Sequence, residues 1–273
     1  MPFDGLRVLS LESRRSAEIA TLIRNQGGEA VVAPSMREVP VSDQSEAYRF
    51  FERLRDGDFD MTILLTGVGA RALARVLGPR YGDTGFQDAL KRVAVVARGP
   101  KPAAVLREWG VPISVLVPEP NTWREVLTAT EHRTERRIAL QEYGVTNERL
   151  IEGLRARGAE VTTVRVYEYE LPEDLEPLRD AVQRVADGAI DVALFTTSGQ
   201  VDHFLRVARE MGLEDRAREG LQRSVIASIG PTTSETLEVF GLTADLMPSH
   251  PKMGILVSET AAAARTILEN KRA

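Results

Sequence analysis

The sequence predicts an α/β protein of parallel sheets arranged in two lobes. The chain has 273 residues, long for one core and suited to two α/β lobes of ordinary size. About ten short apolar runs follow one another, each linked to the next by a helical pattern or a turn; such repeated βα alternation implies parallel sheets with right-handed crossovers. One device occurs twice within 190–234. Residues 190–195 (IDVALF) have a buried-strand pattern and end in Thr196-Thr197-Ser198-Gly199, after which Phe204, Leu205, Val207 and Ala208 take helical spacing. Residues 225–229 (VIASI) repeat the strand pattern and end in Gly230-Pro231-Thr232-Thr233-Ser234, ahead of Leu237-Glu238-Val239-Phe240. Weak internal similarity also points to two lobes. RVAVVARGPKPAAVLREWG (92–110) and SVIASIGPTTSETLEVFG (224–241) each read strand, Gly-Pro turn, helix and closing Gly. Duplication would explain this, although βα units also look alike by chance.

Taken in order, 6–11 (LRVLSL) is a first buried strand, 16–26 a helix stopped at Gly27-Gly28, and 29–34 (EAVVAP) a second strand. The polar, proline-bearing stretch 35–43 reads as a crossing between lobes. A helix at 47–54, a strand at 60–66 (DMTILLT), the turn Gly67-Val68-Gly69-Ala70 and a helix at 71–77 start the pattern again. Residues 79–88 are turn-rich, 92–97 (RVAVVA) is a strand, and Arg98-Gly99-Pro100-Lys101-Pro102 leads into a helix reaching Trp109. A short strand at 112–117 and a helix at 123–130 follow, then a strand at 136–142 (RRIALQE), the turn 143–147 and a helix at 148–157. Residues 160–170 (EVTTVRVYEYE) alternate strictly, as one long strand crossing between lobes would. A helix spans 175–186, a last strand 243–247 (TADLM) and a closing helix 255–270.

Composition narrows function. With 43% hydrophobic and 27% charged residues the chain is a globular protein rather than a disordered one. No apolar run approaches the roughly 20 residues that span a bilayer, and the first residues lack a signal-peptide layout, so a cytoplasmic protein without membrane attachment is expected. Absence of cysteine excludes disulfides, thiolate metal sites and cysteine nucleophiles. His132, His203 and His250 lie far apart in sequence, so no metal site is expected. A net charge of −5 argues against nucleic-acid binding but not against an anionic small molecule, because a cleft can be locally positive. The hydroxyl turns fall where strand carboxyl ends meet helix amino ends, where free N–H groups and the helix dipole attract anions. The competing role for each is plain helix capping.

Three motifs carry a family likeness: FTTSGQVDHFL (195–205), IASIGPTTSETLEVFGLTADLMP (226–248) and the Val-Tyr of VRVYEYE (164–170). With them the chain resembles the uroporphyrinogen-III synthase family over essentially its whole length. The resemblance implies two flavodoxin-like parallel-sheet lobes joined by a two-segment extended linker, with a substrate cleft between them. Lobe one would comprise 1–37 and 168–273, and lobe two 40–165. It implies closure of linear hydroxymethylbilane to uroporphyrinogen III, with inversion of ring D and loss of water. The enzyme would be a hydro-lyase using no cofactor and no metal, with its substrate handed over from hydroxymethylbilane synthase.

By the same resemblance, Tyr167 falls on the tyrosine near the leaving group, as an acid or as a donor to an ordered water; packing in the linker is the competing role for a phenol of ordinary pKa near 10. Substrate carboxylates would be met by Thr66, Gly67, Val68, Gly69 and Ala70, by Arg98, Gly99 and Lys101, and by Gly144, Val145, Thr146 and Asn147. In lobe one they would be met by Thr196, Thr197, Ser198 and Gly199 and by Gly230, Pro231, Thr232 and Thr233. Arg71 is a further candidate cation, while Trp109 and Trp123 are expected to pack. The chain departs from the family where Gly-Pro-Lys-Thr is common, since Pro102 replaces the hydroxyl residue. A two-lobe tetrapyrrole-binding or regulatory module without catalysis would share the fold, as would a solute-binding protein. Lack of an appended DNA-binding segment favours the enzyme, and lack of an exposed apolar face favours a monomer.

Overall fold

The computed structural model describes residues 2–142, 144 and 146–272. In chain order its elements are β1 (Arg7–Ser10), α1 (Ser16–Asn25), β2 (Glu29–Val32), β3 (Arg37–Pro40), α2 (Ser45–Arg55), β4 (Met61–Leu64), α3 (Gly67–Tyr81) and α4 (Gly85–Leu90). Then come β5 (Ala94–Ala97), α5 (Pro100–Glu108), β6 (Val115–Leu116), α6 (Trp123–Ala129), β7 (Arg137–Gln141), α7 (Glu148–Arg155), β8 (Glu160–Val164) and β9 (Tyr167–Glu170). The chain closes with α8 (Glu176–Ala186), β10 (Val192–Phe195), α9 (Ser198–Glu210), α10 (Glu214–Arg223), β11 (Val225–Ser228), α11 (Pro231–Val239) and α12 (Met253–Arg272). Two compact units result, one of residues 1–37 and 170–273 and one of residues 38–169. They are called here unit 1 and unit 2.

Unit 1 holds a parallel sheet in the order β11-β10-β1-β2, and unit 2 one in the order β6-β5-β4-β7-β8. The strands β4, β5, β10 and β11 are apolar apart from the buried Thr62 and Ser228, because helices cover both faces of each sheet. In unit 2, Leu64 and Ala97 join a core with α2, α3, α4 and α5, whereas Met61, Ile63 and Val96 face the opposite side with α6 and α7. Unit 1 repeats the plan. Ala193, Phe195 and Ile226 pack with α8, α9, α10 and α11, while Val192, Leu194 and Val225 pack with α1 and α12. The helices show matching amphipathic spacing: α2 buries Ala47, Phe50, Phe51 and Leu54, one stripe of a helical surface.

The two sheets share one topology through a permutation. Counting β1, β2, β10 and β11 as strands one to four gives the order 2-1-3-4, and an isolated parallel bridge from Ala227 to Leu246 begins a fifth. Counting β7, β8, β4, β5 and β6 as one to five gives the same order, 2-1-3-4-5. Both are flavodoxin-type sheets, entered at different points of the cycle. The similarity between 92–110 and 224–241 thus covers strand four of each unit and the helix after it.

Several local expectations are corrected. The alternating stretch 160–170 is two strands: β8 pairs with β7, and β9 pairs with β3 in a separate two-stranded sheet. Residues 67–70 are the first turn of α3, which runs on through Pro79 to Tyr81, and α4 occupies part of the stretch read as turns. Similarly, α9 starts at Ser198 and α11 at Pro231, inside segments read as turns. The 243–247 run contributes a single bridge rather than a strand. The helix α10 has little signature in the sequence, because its charged face masks the few apolar positions it buries, Ala217 and Leu221.

Candidate active site

In an open parallel sheet a ligand binds beyond the strand carboxyl ends, at the point where the strand order reverses. In unit 2 that point lies between β4 and β7, and a connected set of polar groups stands there. Thr66 caps α3: its Oγ1 accepts from Gly69 N–H at 3.0 Å. The same Oγ1 lies 3.1 Å from the hydroxyl of Tyr167 at the start of β9. The backbone N–H of Thr66 donates to Gln141 Oε1 at 3.1 Å, and Gln141 Nε2 donates to the Glu142 carbonyl. Gln141 is the last residue of β7 and is fully buried. Its carboxamide fits only because residue 69 is glycine; a Cβ there would lie within 2.8 Å of Oε1 and closer still to the rest of the amide.

Tyr167 is 4% exposed, and its ring packs in the unit 2 core, edge-on to Tyr169 with centroids 5.7 Å apart. Burial raises its pKa, offset in part by its hydrogen bonds with Thr66 and Tyr169 and by the charge of Arg98. The phenol therefore stays protonated at neutral pH and keeps a proton to donate. Glu142 is also buried, and desolvation raises its pKa against the opposing charge of Arg165 and a hydrogen bond from Thr146 Oγ1 at 3.4 Å. Its Oε1 is buried with no hydrogen-bond partner among the described residues. Gly144 adopts a left-handed φ of 57°, and a side chain there would strike the Tyr169 ring, 2.7 Å from Cε2. The Gly144 carbonyl accepts from Arg165 at 3.3 Å.

Unit 1 carries a related arrangement at its own reversal point, between β1 and β10. Thr196, the residue after β10, donates its hydroxyl to Glu12 Oε2 at 2.7 Å. Its N–H donates to Gln200 Oε1 at 2.7 Å, and Gln200 Nε2 donates back to Thr196 Oγ1 at 2.8 Å. In both units, then, a buried glutamine amide holds the threonine after strand three. Gln141 reaches it from the neighbouring strand, whereas Gln200 reaches it from one turn further along the chain.

The residues expected at the site fall into distinct positions. Gly67 and Val68 open α3, and as its first two residues they have no intrahelical acceptor for their N–H groups. Ala70 faces the core and is fully buried. Gly99 is the extended residue before α5, Lys101 is exposed in the first turn of that helix, and Arg98 lies between them and β5. Asn147 caps α7 by accepting from Leu150 N–H at 3.0 Å, Thr146 is exposed beside Glu142, and Val145 lies outside the described residues. Thr197 precedes α9 without a side-chain cap bond, and Ser198 and Gly199 form its first turn. Gly230 precedes α11, Pro231 and Thr232 open it, and Thr233 is buried. Arg71 pairs with Glu108 at 2.9 Å on the surface of unit 2. Trp109 packs edge-on to Phe86 at 6.2 Å, and Trp123 lies under the guanidinium of Arg124 at 4.5 Å.

Gln141, Glu142, Gln200, Glu12 and Tyr169 were not singled out by sequence. A polar pair ending an apolar strand, as in RIALQE, was the available signal for the first two. Among the described residues no cluster of His, Asp and Glu could hold a metal ion, and no helix is long and apolar enough to cross a membrane.

The family model for uroporphyrinogen-III synthase HemD (HEM4) matches residues 17–258. The chain belongs to the uroporphyrinogen-III synthase family. A putative uroporphyrinogen-III synthase of Methanothermobacter thermautotrophicus is 32% identical over 234 residues, covering 84% of this chain and 87% of that protein. The uncharacterized protein YjjA of Bacillus subtilis is 25% identical over 260 residues, 94% of this chain and 95% of its own. Among solved structures, a mutant uroporphyrinogen III synthase of Thermus thermophilus aligns with a TM-score of 0.77 at 23% identity, over 96% of this chain and all of that one. The Helicobacter pylori uroporphyrinogen-III synthetase aligns with a TM-score of 0.52 at 13% identity, over 94% of this chain and 98% of that one. These two structures share the α/β fold. Membership of the uroporphyrinogen-III synthase family makes the chain an enzyme of tetrapyrrole synthesis acting on a small tetrapyrrole.

Proposed function

We propose that the chain closes linear hydroxymethylbilane to uroporphyrinogen III as a cofactor-independent hydro-lyase in the cytoplasm, taking its substrate from hydroxymethylbilane synthase. The observation that carries this reading, beside family membership, is the hydroxyl pair Thr66–Tyr167 at the unit 2 reversal point. The chemistry asks for a mild acid. Departure of the terminal hydroxyl breaks a C–O bond and leaves an azafulvene cation, and Tyr167 supplies the proton that makes the leaving group water. The substituted carbon of ring D then attacks the cation, giving a spiro intermediate that fragments and recloses with ring D inverted. The proton lost on rearomatisation returns to the phenolate, so one water is the net loss. Because burial keeps Tyr167 protonated, it is a donor at the start of every cycle.

Substrate carboxylates are assigned to free amides rather than to a basic surface. The N–H groups of Gly67 and Val68 at the start of α3, the Thr232 N–H in α11, whose first residue Pro231 has none, and Arg98, Gly99, Lys101, Gly144, Thr146 and Asn147 supply donors beside helix amino ends. Thr196 is a weaker donor than expected, since its N–H and hydroxyl hydrogens are both spent on Gln200 and Glu12. The test is cyclisation of freshly made hydroxymethylbilane with and without protein, resolving the isomers after oxidation. Spontaneous closure gives type I. Dominant type III establishes the activity; type I alone from folded protein leaves a binding module.

A further inference from the structure

We propose that Gln141 is a positioning residue for the reaction, acting through Thr66 on the Tyr167 hydroxyl; this rests on the reading of Tyr167 as the acid. Thr66 has one hydroxyl proton and two lone pairs. One lone pair takes Gly69 N–H, and the remaining proton and lone pair face Tyr167. Which way the Thr66–Tyr167 bond points decides whether the phenol's proton is spent inside the protein or offered outward. If Thr66 donates to Tyr167, the phenol's proton is not spent on Thr66, and with Tyr169 donating as well it is offered to a leaving group. That choice depends on where the Thr66 backbone sits.

Gln141 sets that backbone. Its Oε1 accepts from Thr66 N–H, and its Nε2 is tied to the Glu142 carbonyl, so the carboxamide cannot turn over without losing both bonds. It is fully buried, with Gly69 leaving room for it. Thr66 is thus gripped on both sides of its Cα: the N–H by Gln141, and the side chain by Gly69. The hydroxyl arrives 3.1 Å from Tyr167 as a consequence. Gln200 does the same for Thr196, but there the hydroxyl ends on Glu12 and no phenol follows. The two glutamines therefore separate a shared structural job from one that serves catalysis in unit 2 only.

A double-mutant cycle tests this with the full-length protein. Gln141→Met keeps the length and loses both hydrogen bonds. It is expected to lower kcat for type III formation about tenfold, with KM within about twofold, one hydrogen bond's loss of alignment being worth about that factor. In the Tyr167→Phe background the same change is expected to cost no more than about twofold, because the group it positions is gone. Gln200→Met measures the stability cost of losing the same kind of amide grip without Tyr167 at its end. Should Gln141→Met fail to fold, Gln141→Glu keeps the acceptor for Thr66 N–H and is expected to retain more of kcat than Gln141→Ala. Equal loss of kcat in the Tyr167 and Tyr167→Phe backgrounds, or equal kcat for the Glu and Ala variants, overturns the proposal. An unchanged kcat in Tyr167→Phe alone overturns the reading of Tyr167, and absence of type III from the wild type overturns the activity.

Discussion

Gly69→Ala should be among the most damaging single-methyl additions at the site. An added Cβ would fall inside the Gln141 carboxamide, within 2.8 Å of Oε1 and nearer to the other amide atoms. The amide cannot retreat, because it is buried against β4 and bonded to Thr66 and Glu142. Displacing it orphans the Thr66 N–H, at about 1–3 kcal/mol. Crowding in a filled core costs about 1–3 kcal/mol more. Helix propensity returns only about 1 kcal/mol for alanine over glycine. The net expectation is a loss of about 3 kcal/mol, which the urea midpoint of the purified variant would report. Gly199 supplies the control. It stands three residues after Thr196 as Gly69 does after Thr66, one position earlier in its helix, and a Cβ there meets only the Cε at the far end of the Met36 side chain, at 2.7 Å. Gly199→Ala should therefore stay within about 1 kcal/mol of wild type. Equal stabilities for the two variants would refute the packing argument for residue 69.

Glu142→Gln should stabilise the protein at pH 8. Burial holds the folded-state pKa above the ordinary value, so charging this carboxyl works against folding at high pH. The gain should fade as pH falls through the raised pKa toward 4.5, and a gain that grew on acidification would sink the assignment. Glu214 behaves in the opposite sense. Hydrogen bonds from Arg209 and Arg218 pull its pKa down to about 2, so its contribution is complete above pH 4.5 and is lost as pH falls from there toward 2. Denaturation curves of wild type and Glu214→Gln should accordingly converge across that interval. Asp191→Ala should cost about 2–3 kcal/mol, because this nearly buried carboxylate takes the backbone N–H and the guanidinium of Arg7 at 3.0–3.2 Å. Arg15→Ala, which breaks a pair between two exposed side chains, should leave the denaturation midpoint unchanged in the same assay.

The sheet-forming runs were legible because both faces of each sheet are covered, which writes strands such as MTIL, AVVA and VALF as apolar blocks. Helix starts were less so. Hydroxyl and glycine residues at Thr66–Gly69 and Thr197–Gly199 look like turns in sequence, yet their N–H groups point along a helix axis and they fold as its first turn. Strict alternation over 160–170 spelled a single strand. Pairing decided otherwise, since β8 takes β7 as neighbour while β9 takes β3. Tyr167 and Thr66 were both named through the family resemblance, and the structure brings their hydroxyls within 3.1 Å of each other. The Gln141–Thr66 bond was not legible, because it joins residues 75 apart and depends on which two strands lie side by side.

The permuted topology has a consequence for synthesis on the ribosome. Strand β1 needs β10 as its neighbour, with Val8 beside Val192, so the first sheet cannot be completed until all of unit 2 has been translated. Unit 2 is contiguous and needs no later residue for its own sheet. It is therefore expected to fold first, leaving β1 and β2 with an open edge until β10 is made. Slowing the ribosome within residues 170–191 would lengthen that wait without changing a single amino acid of the finished protein.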